Sequence, residues 1–276
     1  MLAIAVLALT ANLAVAQTYT FHVKGSQGFS MTHKTRDGAR ISYQLGQFSL
    51  SQIEYRGEEM SEISINAISI PCDAGLPNLP VDSRLIAIPQ GAKATLNVVR
   101  AETQTFQNVN IAPALRVQVE NEEPDMNYVK DMKVYGKNAF FPENPFVIGE
   151  SYIRGVNAVS VAITPFQYNP VTKELVVYTD VELSLSYEGG NGQFGDDRLR
   201  SPYWDPILAG ELANYDQLPV IDYAARMQDW IRNNREGYEY LIIIPNNDGF
   251  EEPAQRLKAS VSSFALRISL VQLNPQ

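Results

Sequence analysis

The chain has 276 residues, 45% hydrophobic and 19% charged, which is core material for one large or two ordinary domains and argues against bulk disorder. Its 22 Lys and Arg face 31 Asp and Glu, a net charge of −9, which argues against broad charge-driven binding to nucleic acid or an anionic membrane. A single cysteine, Cys72, rules out an intrachain disulfide and every thiolate zinc cluster; the two histidines, His22 and His33, bound any imidazole chemistry.

Residues 1–16, MLAIAVLALTANLAVA, carry no charge and end in Ala14-Val15-Ala16, the small-residue pattern that signal peptidase accepts, although a basic start is missing. The run falls short of the roughly 20 residues of a spanning helix. It is read as an export signal, with no membrane span in the mature chain.

Residues 17–188 read as strands and turns. Period-2 alternation appears at Tyr19-Phe21-Val23, at Ile63-Ile65 and at Leu115-Val117-Val119. It is clearest at Val177-Thr179-Val181-Leu183-Leu185-Tyr187, where one face is apolar and the other polar. Turn chemistry separates these runs, as at Lys24-Gly25-Ser26, Arg56-Gly57, Pro89-Gln90-Gly91 and Tyr168-Asn169-Pro170. Many short, half-wet strands predict antiparallel sheets packed as a β-sandwich.

Residues 189–235 change the pattern. Four glycines within Gly189–Gly195 suggest a linker, and Pro202-Tyr203-Trp204 through Asn214-Tyr215 suggests a short helical docking segment. Met227, Trp230 and Ile231 then fall at helical spacing, with Arg226, Arg232 and Arg235 around them. Residues 236–276 read as the truncated start of an α/β domain: Tyr240–Pro245 has the continuous apolar run of a strand buried on both faces, and a helix is expected after Glu251-Glu252-Pro253.

Chemistry is sparse. Cys72 and His33 could form a nucleophile and base, but Cys72 follows a strand-like run and reads better as a small buried hydrophobe, while His33 sits among Lys34 and Arg36 in a solvated loop. Asp196-Asp197 and Glu122-Glu123-Pro124-Asp125 lack the calcium-loop layout. Neither metal nor cofactor is expected. Asn246-Asn247-Asp248-Gly249 follows a strand end without a phosphate-binding pattern. Lys137, between Gly136 and Asn138 and close to Phe140-Phe141-Pro142, is a candidate projecting loop residue; a solvated turn lysine is the plainer reading.

Several segments, in order, resemble the propeptides of gingipain-type cysteine proteases, peptidase family C25. They are Gly75-Leu76-Pro77-Asn78-Leu79-Pro80, Phe140-Phe141-Pro142, Pro165-Phe166-Gln167-Tyr168-Asn169-Pro170-Val171-Thr172-Lys173 and Asn214-Tyr215-Asp216. Tyr240–Phe250 with Glu251-Glu252-Pro253 resembles the first strand and loop of the catalytic domain; Glu143 stands where the propeptides have Gly.

The resemblance implies a β-sandwich that inhibits, and helps to fold, a caspase-like α/β peptidase domain joined to it in cis. The full-length protein would be a secreted or cell-surface bacterial cysteine endopeptidase whose catalytic His and Cys lie beyond residue 276. By position, Lys137 falls near the inhibitory loop, and Lys130 and Lys133 fit the same argument. Arg226, Arg232 and Arg235 become processing candidates. The alternative is a secreted, non-enzymatic β-sandwich for adhesion or glycan binding, for which 14 tyrosines could supply stacking rings.

Overall fold

Alternating sequence becomes strand at Ile63-Ile65 and from Val177 to Tyr187, and as far as Thr20 in the run that starts at Tyr19. The order is β1 (Gln17–Thr20), β2 (Gly28–Thr32), β3 (Gly38–Gln44), β4 (Gln47–Tyr55), β5 (Glu58–Ile65), β6 (Asp82–Ala87) and β7 (Ala92–Phe106). A single helical turn, α1 (Met132–Tyr135), precedes β8 (Phe146–Ile153), β9 (Val156–Ile163), β10 (Phe166–Asn169) and β11 (Glu174–Gly189). The helices α2 (Asp205–Glu211) and α3 (Tyr223–Asn233) follow, then β12 (Tyr240–Pro245), α4 (Glu251–Ser262) and β13 (Ile268–Leu273). This computed structural model describes residues 16–65, 72–117, 120, 127–233, 240–245, 249–262 and 268–273; the expected export signal lies, apart from Ala16, outside them. Two compact units result, one ending at Val220 and one starting at Ile221.

β11 organises the first unit. Its alternation buries Leu175, Val177, Val181, Leu183, Leu185 and Tyr187. One edge pairs antiparallel with β7; the other pairs with β10 and then β3, which carries β2. The sheets β1-β4-β5 and β6-β9-β8 supply further apolar faces to the same core, an antiparallel sandwich-like arrangement. Each fully buried Leu, Ile or Phe there contributes roughly 2 kcal/mol over leaving it in water. Aromatic packing ties the layers: Phe48 meets Phe166 at 5.4 Å and Phe106 at 5.6 Å between ring centres, both edge-on.

Three expectations need correction. Leu115–Val117 is not a strand; the preceding residues are already paired, Pro113 with Pro77 and Ala114 N–H with Leu76 O, and Val117 is exposed. Val119 lies outside the described residues, as do residues 121–126 with their carboxylates.

The glycine cluster is not a free linker. Gln90 N–H donates to Gln193 O at 2.7 Å, Asn191 N–H to Gln90 O at 3.0 Å, and Phe194 is buried. A Cβ on Gly190 (φ +76°) would lie 2.7 Å from Gln90 O and 2.8 Å from Ala92 N, so glycine permits this backbone contact.

In the second unit β12 and β13 run parallel with α4 between them in the chain, as the α/β reading expects. Burial on both faces of β12 is not found: Ile242 and Ile244 are buried, whereas Leu241 and Ile243 are exposed. Residues 246–248, read as a strand-end loop, lie outside the described residues.

Candidate functional site

The basic loop of residues 130–142 is fixed at both ends, and the segments that hold it are those singled out in the sequence. Gly75 anchors the first end: its carbonyl accepts from Asp131 N–H at 2.9 Å. The Gly75–Pro80 segment is itself bound, Gly75 N–H to Ala114 O and Asn78 N–H to Ala112 O, with Leu79 buried. Gly75 adopts φ +87°, and an added Cβ would press to 3.1 Å from Val129 O, so the close approach favours glycine.

α1 starts where Asp131 accepts from Lys133 N–H at 2.9 Å, an N-cap. It ends at Gly136, whose N–H returns to Met132 O at 3.0 Å. Tyr135 points inward and donates its hydroxyl to Ile111 O at 3.0 Å; burial raises its phenol pKa.

The second anchor is the Gln167–Lys173 segment. Phe141 and Tyr168 exchange backbone hydrogen bonds of 2.9 and 2.8 Å, and Gln167 Nε2 donates to Pro142 O at 2.7 Å. Asn169 Nδ2 donates to Asn138 Oδ1 at 2.9 Å, while its Oδ1 accepts from Val171 and Thr172 N–H.

The three candidate lysines have different surroundings. Lys130 is engaged: it donates to Glu58 Oε1 and lies 5.3 Å over the Tyr135 ring. That bond, with Asn110 as a second donor, holds the Glu58 carboxyl below the usual range. Lys133 sits exposed in α1, and Lys137 sits exposed on the turn after it, where its N–H donates to Val134 O and its carbonyl accepts from Ala139 N–H. Neither ammonium forms an ion pair among the described residues. Val129 and Met132 beside them are about two-thirds exposed, at 68% and 67%.

The remaining candidates do not gather into a reactive site. Cys72 Sγ donates to Leu79 O at 3.2 Å, and burial pushes its thiol pKa up, away from the thiolate that a nucleophile needs. His33 is exposed and bonded to the neighbouring Thr32 hydroxyl. Arg226 is exposed on α3, its N–H bonded to Asp222 O; Arg232 lies in the same helix, and Arg235 lies outside the described residues.

Sequence reasoning missed Asn138, Asn169, Gln167 and Asp131 as holders of the loop. Asp131 just before an apolar turn is a legible cap signal, but the Asn169–Asn138 bond joins positions 31 apart and has no local signature. Asn214 is similar. It is fully buried and bonds Ala87 N–H at 2.7 Å, Ala87 O at 2.9 Å and Gln217 Oε1 at 2.7 Å, locking the segment after α2 onto β6.

Comparison with known proteins agrees with this architecture. Residues 29–198 match the family Propeptide_C25. Gingipain R1 of Porphyromonas gingivalis is 33% identical over 122 residues, covering 44% of this chain and 12% of the relative. Lys-gingipain of the same organism is 23% identical over 174 residues, covering 60% and 10%. The chain thus spans only about an eighth of Gingipain R1.

The solved complex of Porphyromonas gingivalis RgpB pro- and mature domains contains a chain with TM-score 0.60 and 23% identity, covering 68% of this chain and 97% of that one. A structure of gingipain K, solved for its zymogenic latency, gives TM-score 0.55 at 20% identity, covering 64% and 100%. The fold is shared with both, and on the family match across more than half its length this chain belongs to Propeptide_C25.

Proposed function

We propose that residues 17–220 are the propeptide body of an exported bacterial C25 cysteine peptidase precursor, covering the peptidase cleft in cis and assisting its folding. Lys137 is the side chain that enters the peptidase's specificity pocket. A pocket carboxylate must meet the ammonium there, since desolvation otherwise opposes entry. The observation that carries this reading is the loop itself: it is fixed at one end on Gly75 and at the other on Gln167 and Tyr168, Asn169 holds Asn138 between them, and Lys137 stays exposed at the turn.

Tethering keeps the body at high effective concentration near the cleft, and a maturation cut makes binding bimolecular, which allows release. Arg226, Arg232 and Arg235 all lie beyond the body and are the processing candidates. The uncharged leader and bacterial relatives support export to the medium or cell surface.

The test is inhibition of a panel of C25 peptidases, including Gingipain R1 and Lys-gingipain, by the purified chain. Inhibition is expected of at least one, weakened by Lys137→Ala more than by Lys130→Ala or Lys133→Ala. Absence of inhibition across the panel overturns the function; inhibition unchanged by all three substitutions overturns the basic-loop mechanism alone.

A further inference from the structure

We infer that Asn138 is a positioning residue for Lys137, held in place by Asn169, so that the loop meets the peptidase already in its bound shape. This rests on the inhibitory reading above and deepens it.

Asn169 is 5% exposed, and its carbonyl oxygen accepts from Val171 N–H at 3.1 Å and Thr172 N–H at 3.3 Å. Those two bonds settle which way the amide faces: the NH2 group has to point toward Asn138, whose Oδ1 it meets at 2.9 Å. The residue next to Lys137 is thereby tied to a buried point of the sandwich.

The loop beyond it is tied independently. Tyr178 donates its hydroxyl to Gln167 Oε1 at 2.6 Å, which orients the Gln167 amide so that Nε2 faces Pro142 O. On the other side Asp131 and Tyr135 are bonded to Gly75 O and Ile111 O. Only residues 136–140 remain between fixed points. A segment held in its binding shape loses little conformational freedom when it docks, and that saving appears as affinity.

Asn169→Ala is a poor probe, because it would also open the 169–172 turn. Asn138→Ala removes only the outer partner. In the full chain, against a C25 peptidase that it inhibits, Asn138→Ala is expected to weaken inhibition about tenfold, the scale of one lost hydrogen bond. Tyr178→Phe should weaken it by a smaller factor, through Gln167.

The decisive measurement is a double-mutant cycle. Once Lys137→Ala has removed the side chain being positioned, Asn138→Ala should have no further effect. Equal losses in both backgrounds would mean a general structural role, and no loss in the native background would mean that the clamp is irrelevant; either overturns the inference while leaving the inhibitory function standing. A native chain that inhibits no C25 peptidase overturns the function, and the clamp's role with it.

Discussion

Arg200 grips Asp205 through two parallel bonds, Nε to Oδ1 at 3.0 Å and Nη2 to Oδ2 at 2.8 Å, with its side chain only 1% exposed. Nη1 donates to Pro219 O at 2.6 Å, and the guanidinium lies 5.9 Å over the Tyr215 ring. One buried cation thus ties together the start, middle and end of the stretch from 200 to 219. Planar fork geometry is what the site uses, so lysine cannot replace it. Arg200→Ala is expected to lower stability by about 3 kcal/mol, and Arg200→Lys to recover little of that, since Asp205 would be left without its fork partner. Chemical denaturation of the three proteins checks this.

The same clasp should shield Arg200 from proteases. Arg200 is buried, whereas Arg226 is exposed on α3 in the second unit. Brief trypsin treatment should cleave between residues 221 and 239 before it cuts at Arg200. A first cut at Arg200, read by mass spectrometry, would contradict the clasp.

Asn214→Ala tests the lock onto β6. Its amide meets both backbone groups of Ala87 inside the core, so truncation strands a buried N–H and a buried carbonyl. A loss of at least about 2 kcal/mol is expected, since each of the two stranded groups costs roughly 1–3 kcal/mol. A thermal midpoint equal to that of the native chain would show that the segment contributes nothing.

Asp82 should make stability fall with rising pH. Its carboxyl is buried on β6, and that burial raises its pKa above the usual value of 3.8; Arg84, 2.6 Å away, opposes the rise without cancelling it. A raised folded-state pKa means that the native chain holds the proton more tightly than the unfolded chain. The associated stability is complete below the unfolded value and lost as pH rises through the folded one. Asp82→Asn mimics the protonated acid, so its thermal midpoint should gain on the native chain between about pH 4 and pH 7. A constant difference over that range would refute the assignment.

Cys72 should react slowly with iodoacetamide in the folded chain and fast once unfolded, because burial raises its thiol pKa. Cys72→Ser should inhibit C25 peptidases as the native chain does. Loss of inhibition in a folded Cys72→Ser protein would give this thiol a role beyond packing.

Local pattern made the sandwich readable. The alternation from Val177 to Tyr187 needs no partner to be recognised, since a strand sends successive side chains to opposite faces. The apolar run at Tyr240–Pro245 likewise announced a parallel strand, and β13 supplies its neighbour. Strand β7 was overlooked: from Val98 to Thr105 it is an exposed edge with no dry face to mark it.

Composition and order of residues determined the fold class, the segments Gly75–Pro80 and Gln167–Lys173, and the basic character of the loop between them. Tertiary structure alone decided what those segments do. They grip opposite ends of one loop, in which Lys130 meets Glu58 of β5 and Lys137 stays exposed. Hydrogen bonds such as Asn169–Asn138 join residues far apart in sequence, and the chain must close its core before such partners can meet. The glycines at 189–195 show the same limit: linker-like in composition, they are packed backbone because Gly190 lies against Gln90.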